Sequence, residues 1–129
     1  EISRQMLSQI EGMIAKIKWS RRDVAEFAGR YLSEPKPNVF FDPPEAPLAR
    51  AAFNKQANRH GVALNPKSRL LFAGGRFFIN GEAFTAAADE TAALKHLADQ
   101  RRLAPPLPAA LRERFHDWYE AGWLEIDAA

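Results

Sequence analysis

The sequence of 129 residues contains no cysteine, which excludes a disulfide framework, a zinc–cysteine site and a thiol nucleophile. It has no apolar run of about 18 residues, so it predicts no membrane-spanning helix. It also lacks a positively charged start followed by an apolar core, and we expect no signal peptide and a cytoplasmic location. Because the chain begins at Glu1 rather than Met, we expect a piece of a longer protein.

Residues that commonly carry chemistry are also scarce. The three histidines, His60, His96 and His116, show no metal-ligand spacing, and we place His60 beside a helix end and the other two on helix surfaces. No Gly-x-Ser-x-Gly motif is present, and Gly74-Gly75 joins two predicted strands rather than a strand and a helix. The sequence therefore predicts no catalytic residue, no cofactor-binding residue and no metal ligand.

Charge is balanced overall but divided along the chain. The 18 basic and 16 acidic residues give a net charge of +2. Residues 36–76 carry seven basic and two acidic residues, a net of +5, whereas residues 77–129 carry five basic and nine acidic residues, a net of −4. A solvated surface explains this division, and weak contact with a polyanion is the functional alternative. The candidate residues for that contact are Arg50, Lys55, Arg59, Lys67 and Arg69.

Hydrophobic periodicity predicts two amphipathic helices at the N-terminus, over residues 2–18 and from 20 to about 33. Ser20 and Asp23 have the spacing of a capping box at the start of the second helix. The two helices should form a hairpin whose apolar stripe is too large to stay in water, and a second copy of the chain is the simplest partner. The predicted dimer interface comprises Ile2, Met6, Ile10, Met13, Ile17, Val24, Phe27 and Tyr31. Packing of the hairpin on the rest of the same chain is the alternative.

Five prolines in residues 34–47 predict an extended, stiff connection after the hairpin. We expect a spacer that holds the hairpin away from the second unit, and a PxxP ligand is the alternative. The segment Val39-Phe40-Phe41 indicates that part of this connection also packs.

The second unit reads as a helix from Pro47 to about Arg59, three strands, a helix over 89–102, a helix over 108–121 and a final strand over 123–126. Gly74-Gly75 and Asn80-Gly81 are hairpin-turn signals between the strands. This order is typical of a winged helix, here with a short wing because a single strand follows the last helix. We predict an α+β fold, with an N-terminal helical hairpin (1–34), a proline-rich connection (35–46) and a winged-helix-like domain with a small antiparallel meander (47–129).

Winged helices often bind nucleic acids, so a fragment of a nucleic-acid-binding regulator is the alternative function. The predicted recognition helix, 108–121, has two basic and three acidic residues, a net of −1. Because phosphate contacts supply much of the affinity for DNA, we expect no specific DNA binding.

Several segments together resemble the C-terminal, non-catalytic region of bacterial ribosomal oxygenases. These enzymes are cupin (JmjC-type) 2-oxoglutarate-dependent hydroxylases that modify an arginine of a ribosomal protein. The segments that carry the resemblance are the helical hairpin, Asp42-Pro-Pro-Glu-Ala-Pro47, the meander from Arg69 to Phe84, and Ala121-Gly-Trp-Leu-Glu125.

The resemblance implies homodimerisation by the hairpin and an accessory protein-interaction role for residues 47–129. It implies that Fe(II) and 2-oxoglutarate bind only in an upstream cupin domain, because the His-x-Asp…His triad of the family has no counterpart in this chain. We therefore expect no enzyme activity from this chain alone. The expected partners are a second copy, the upstream cupin domain and the ribosomal protein substrate of the parent enzyme, with no specific DNA and no membrane.

Overall fold

The computed structural model describes residues 3–16 and 20–127, and side chains for 3–13 and 20–127. It has five α-helices and two small antiparallel sheets in the described part of the chain, so the predicted α+β class is confirmed. The helices are α1 (Arg4–Lys16), α2 (Arg21–Ser33), α3 (Arg50–His60), α4 (Ala88–Gln100) and α5 (Arg112–Glu120), with a 3₁₀ turn at Ala109–Leu111. The strands are β1 (Val62–Leu64), β2 (Leu70–Ala73), β3 (Arg76–Ile79), β4 (Glu82–Thr85), β5 (Arg102–Leu103) and β6 (Leu124–Ile126). None of the helices among the described residues is long and apolar enough to cross a bilayer.

The predicted meander is present as one sheet with strand order β2-β3-β4. Its second turn contains Asn80 and Gly81, both with positive φ (48° and 91°), which is the backbone geometry that this residue pair favours in a two-residue hairpin. The first turn contains Gly74-Gly75, as predicted. The hairpin signals therefore located this sheet correctly.

A second sheet, with strand order β5-β1-β6, contains two strands that the sequence analysis missed. β1 has three residues and β5 has two, which is too short for a period-two pattern to be visible. β5 begins directly after Arg101, a non-glycine residue with φ of 65° at the end of α4. The Arg101 guanidinium donates to the carbonyl oxygens of Asn65 and Ser68, at 2.9 and 2.8 Å. These bonds join the end of α4 to the loop before β2.

The core lies between the two sheets and helices α3, α4 and α5. Its largest members are aromatic and aliphatic side chains at most 5% exposed, including Phe53, Phe77, Leu94, Phe115 and Trp118. Two helix boundaries differ from the prediction: α3 begins at Arg50 rather than Pro47, and the last helix begins with the 3₁₀ turn. Both differences lie next to prolines, where boundaries are least determined by periodicity.

Helix α2 packs on the meander, so the expectation that the hairpin is held away from the second unit is wrong. Its contact face consists of small residues, with Gly29 directly over the buried Phe78 ring and Ser33 buried at the helix end. The backbone N–H of Gly81 donates to Ser33 Oγ at 3.0 Å. Glu26 and Arg76 form an ion pair at 2.7 Å across the same interface. Small side chains allow a helix to approach a sheet closely. The stripe of larger apolar residues, which lies on the other side of α2, did not predict this packing.

The proline-rich connection is attached to the domain at residues 40–42. Lys67 Nζ donates to the Phe40 carbonyl oxygen at 2.8 Å, and the Phe41 ring contacts Trp123 edge-on at 6.3 Å between centroids. Gly122 lies so close to the Asp42 backbone that a Cβ there would come within 2.9 Å of it. The indication that part of this segment packs is therefore confirmed for the half-buried Phe41, whereas the Phe40 side chain is exposed and only its carbonyl oxygen is bound.

Candidate functional site

The predicted dimer residues of α2 form an exposed face opposite the one that packs on the meander. Val24, Phe27 and Tyr31 follow the i, i+3, i+7 spacing of one helix face and are 52%, 62% and 67% exposed. The Phe27 and Tyr31 rings stack with an interplanar angle of 9°. Leu32 is also exposed, but it lines a groove with Gly29 and Phe78 on the side of α2 that packs on the meander. Val24, Phe27 and Tyr31 are called the α2 outer face below.

The remaining predicted interface residues belong to α1 or lie outside the described residues. Met6, Ile10 and Met13 share one face of α1 and are exposed, as are all described side chains of that helix. Ile2 and Ile17 lie outside the described residues. The structure thus places the predicted stripe on two helices and buries none of its described members.

The start of α2 is fixed by the predicted capping box. Ser20 Oγ accepts from the Asp23 backbone N–H at 3.1 Å, and an Asp23 carboxylate oxygen accepts from the Ser20 backbone N–H at 3.2 Å. Hydrogen bonding of the Asp23 carboxylate to Ser20, chiefly to its backbone N–H, lowers the pKa of Asp23 below its usual value of 3.8, assisted by the nearby positive charge of Arg22. The cap determines where the outer face begins.

The five candidate polyanion residues are divided between two structural settings. Lys55 and Arg59 are exposed one turn apart on α3, and Arg50 at its start lies 3.8 Å from Glu113. Lys67 and Arg69 instead donate hydrogen bonds to backbone carbonyl oxygens. Lys67 Nζ donates to the Phe40 oxygen at 2.8 Å, and Arg69 Nη1 donates to the Leu32 oxygen at 3.3 Å. Two of the five side chains therefore attach α2 and the proline-rich connection to the domain.

The last helix presents little positive charge to solvent. Phe115, His116 and Trp118 of α5 are buried, and the Arg114 guanidinium lies over the Phe84 ring at 4.2 Å. Glu113, Asp117 and Glu120 are exposed. Arg112 is exposed as well, so the exposed charges of α5 are one basic and three acidic, a net of −2 that disfavours a phosphate backbone. The expectation of no specific DNA binding stays a prediction.

His116 is buried, so its predicted place on a helix surface is wrong. Its Nε2 donates to the Leu48 carbonyl oxygen at 2.9 Å, and its ring packs against Phe53. Ligand atoms of His116, Asp117 and Glu120 lie within 4.8 Å of one another, the one such group found among the described residues. His116 Nδ1, the ring nitrogen that does not bind Leu48, lies 3.4 Å from Glu120 Oε1, and both carboxylates are exposed on a single helix turn. The expectation of no metal ligand stays a prediction.

Gly29 and Phe78 are the contact that sequence reasoning missed. They position the outer face by attaching the opposite side of α2 to the meander. The available signal was the four-residue spacing of Ala25, Gly29 and Ser33, a narrow stripe of small residues within a helix of larger apolar side chains.

Solved structures of a ribosomal oxygenase have the same fold as this chain, and no curated protein sequence matches it. The structure of YcfD, a ribosomal oxygenase from Escherichia coli, is 18% identical with a TM-score of 0.72, and the match covers 99% of this chain and 37% of that chain. Its complex with cobalt and 2-oxoglutarate is also 18% identical with a TM-score of 0.71, covering 97% of this chain and 36% of that chain. This chain thus spans little more than one third of the length of those proteins.

The model of the family described as "ROXA-like winged helix" matches residues 14–125, which is most of the sequence. The match includes α2, the proline-rich connection, both sheets and α3 to α5. It agrees with the winged-helix architecture and with the resemblance that the sequence carries. The chain therefore belongs to the ROXA-like winged-helix family.

Proposed function

We propose that this chain is the non-catalytic C-terminal region of a cupin-type, 2-oxoglutarate-dependent ribosomal protein hydroxylase, and that it serves homodimerisation and accessory protein interaction. The family match over residues 14–125 supports the placement within such a protein. The match to little more than one third of the ribosomal oxygenase structures supports a longer parent chain whose remaining part carries the reaction.

The α2 outer face is the observation that carries the dimerisation role. Because α2 is attached to the meander through its small-residue face, the outer face cannot turn inward without breaking the contacts of Gly29 and Ser33. Large apolar side chains left in water are unfavourable by roughly 1.5–3 kcal/mol each when burial is available. A two-fold axis beside α2 would allow the same face of a second copy to cover it. The exposed Met6, Ile10 and Met13 of α1 add to the surface available for that contact.

Light scattering of the chain at tens of micromolar tests this role. We expect a dimer for the unmodified chain and a monomer for the variant carrying Ile10→Asp and Phe27→Asp. Phe40→Asp is the matched control, because Phe40 is 72% exposed but lies on the proline-rich connection, outside the predicted interface. A monomeric unmodified chain, or equal loss of dimer with Phe40→Asp, would contradict the dimerisation role.

The non-catalytic role is tested by comparing this chain with the full-length parent. We expect the parent to add one oxygen atom to an arginine of a ribosomal protein when Fe(II) and 2-oxoglutarate are supplied, as read by mass spectrometry. Calorimetric titration of this chain with Fe(II) and with 2-oxoglutarate should show no stoichiometric binding. Stoichiometric binding to this chain would place part of the reaction here and remove the assignment.

A further inference from the structure

A groove of about 500 Å³ lies along the free edge of the meander, between two helices. Strand β2 is an edge strand, because the order of the sheet is β2-β3-β4. Neighbouring residues of a strand point to opposite faces of a sheet, so Phe78 points to α2 and Phe77 points to the core that contains α4. Residues of α2, β2 and α4 line the same groove. Two helices on opposite faces of a sheet can do this only at the sheet edge.

Backbone groups of β2 face this edge without a partner. The Asn80 backbone N–H donates to the Arg69 carbonyl oxygen at 3.1 Å, and the next pair in the register is Leu70 with Ile79. Because hydrogen-bonded and non-hydrogen-bonded pairs alternate in an antiparallel ladder, the N–H and C=O groups of Leu70 and Phe72 point away from β3. Within the part of the chain that the structure describes, neither residue has a backbone hydrogen bond on that side.

Burial makes these unpaired groups an indication of a ligand. Leu70 is 3% exposed and Phe72 is half-buried, and both line the groove. Nearly all buried backbone N–H and C=O groups in proteins are hydrogen-bonded, because an unpaired buried group is costly. A ligand that pairs with both residues must offer N–H and C=O groups at the spacing of a β-strand. An extended peptide that adds to the sheet edge has this spacing.

The walls of the groove are apolar and consist mainly of small residues. Ala25, Ala28 and Gly29 form the α2 wall, and Ala98 and Asp99 form the α4 wall. Asp99 is the one charged residue of the lining, and it has no ion-pair partner among residues 3–16 and 20–127. Small walls leave room for larger side chains on both faces of an incoming strand. A second copy would bring its own α2 and α4 against the same walls, which favours a single extended segment.

We propose that this groove binds an extended apolar peptide segment of a protein partner, which adds to the meander as a fourth strand beside β2. The peptide backbone pairs with Leu70 and Phe72, its apolar side chains lie against α2 and α4, and a basic side chain lies beside Asp99. The proposal rests on the accessory protein interaction proposed above and names its surface and its class of partner. It does not depend on dimerisation, because neither the α2 outer face nor α1 lines the groove.

The test is a titration of the ¹⁵N-labelled chain with a capped Lys-Val-Thr-Val-Thr-Val peptide, whose β-branched residues favour an extended backbone. We expect the amide resonances of Leu70 and Phe72 to shift, and the Phe72 amide to exchange more slowly with solvent. The amides of Ala83 and Thr85 are the internal control, because they belong to β4, the other edge strand of the same sheet. They should not shift.

Two N-methylated forms of the peptide separate strand pairing from apolar adsorption. One form is methylated at the backbone nitrogens of its valines, and the other at those of its threonines. Alternate N–H groups of an extended peptide point to the strand beside it. One form should therefore bind at least about tenfold more weakly, and the other within about threefold of the unmodified peptide. Equal affinities of the two forms, or no saturable binding below about 1 mM, would overturn the proposal.

Paired variants of the chain locate the site. Ala28→Leu fills the α2 wall and should weaken binding at least about tenfold, whereas Ala92→Leu, at an exposed position of α4 outside the groove, should change it less than about twofold. Asp99→Asn should weaken binding about threefold. Equal effects of the two leucine variants would contradict the proposal. Shifts of the Leu70 and Phe72 amides when the chain is concentrated without peptide would indicate a second copy in the groove and would also contradict it.

Failure of the groove and failure of the proposed function are distinguishable. Light scattering reads dimerisation, and the comparison with the full-length parent reads the non-catalytic role. Neither measurement involves the peptide, so a negative titration would remove the groove alone.

Discussion

Helices α2 and α5 are both amphipathic, but they bury opposite kinds of residue. Helix α5 buries Phe115 and Trp118 in the core and exposes charged side chains. Helix α2 packs small residues, the half-buried Gly29 and the buried Ser33, on the meander and exposes Phe27 and Tyr31. The difference arises from the surfaces beneath them: the Phe78 ring already fills the space under α2, so the residue facing it must be a glycine. A stripe of large apolar residues therefore marks the core side of one helix and the outer side of the other.

The largest expected effect comes from truncating the same residue type on both helices. Phe115→Ala should lower the free energy of unfolding by about 3–5 kcal/mol, because it opens a cavity in the core. Phe27→Ala should lower it by less than about 1 kcal/mol under dilute conditions, since most of that side chain is already in water. Urea unfolding at low micromolar concentration measures both values. Equal losses would show that the exposed position of Phe27 is wrong.

Two helical glycines should respond with opposite signs to alanine. A Cβ at Gly29 would overlap the Phe78 ring, and Gly29→Ala should destabilise the chain by about 1–2 kcal/mol. A Cβ at Gly12 in α1 would have no described atom within 4 Å. Gly12→Ala should therefore stabilise helix α1 by about 0.5–1 kcal/mol, the ordinary difference in helix propensity between alanine and glycine. Circular dichroism during thermal unfolding distinguishes the two. Stabilisation by Gly29→Ala would indicate that α2 is not attached to the meander.

A smaller effect is expected from the ion pair between α2 and the meander. Glu26→Gln removes the charge that Arg76 contacts at 2.7 Å, and it should cost about 1 kcal/mol because both side chains are largely shielded from water. Arg30→Gln is the control, since it removes only the more exposed partner of Glu26 and should cost less than about 0.5 kcal/mol. Chemical unfolding at low and high salt should show the difference shrinking with salt. An equal loss of unfolding free energy in both variants would mean that the ion pair with Arg76 does not stabilise the packing of α2 on the meander.

The smallest effect is the pH dependence of the α2 cap. The hydrogen bonds to Ser20 lower the pKa of Asp23 in the folded chain, so its contribution to stability is fully present above the usual value of 3.8. That contribution is lost as the pH falls through the lowered value. The difference in unfolding free energy between the unmodified chain and Asp23→Asn should therefore be present at neutral pH and shrink in strong acid. A difference that is independent of pH would exclude the cap as its source.

The sequence predicted features that depend on local chemistry. The capping box at Ser20 and the Asn80-Gly81 turn each depend on nearby residues, and the structure contains both. It did not predict β1 and β5, whose pairing is decided by distant residues rather than by periodicity. The exposed position of the α2 outer face was predicted, but the attachment of the opposite face was not. That attachment depends on the Gly29–Phe78 contact, which joins parts of the chain that no local pattern relates.

The anchored proline-rich connection reduces the loop-closure entropy of docking α2. Ser33 is held by Gly81, and the next fixed backbone point is Phe40, about six residues later, through Lys67. The Phe41 ring against Trp123 and the Asp42 backbone beside Gly122 fix the residues that follow, whereas a connection anchored only at Leu48, whose N–H donates to the Tyr119 hydroxyl, would leave residues 34–47 free. Shortening the free loop from about fourteen residues to about six lowers the entropic cost of closure by about 0.7 kcal/mol. The attachment of residues 40–42 therefore raises the effective concentration of α2 at the meander.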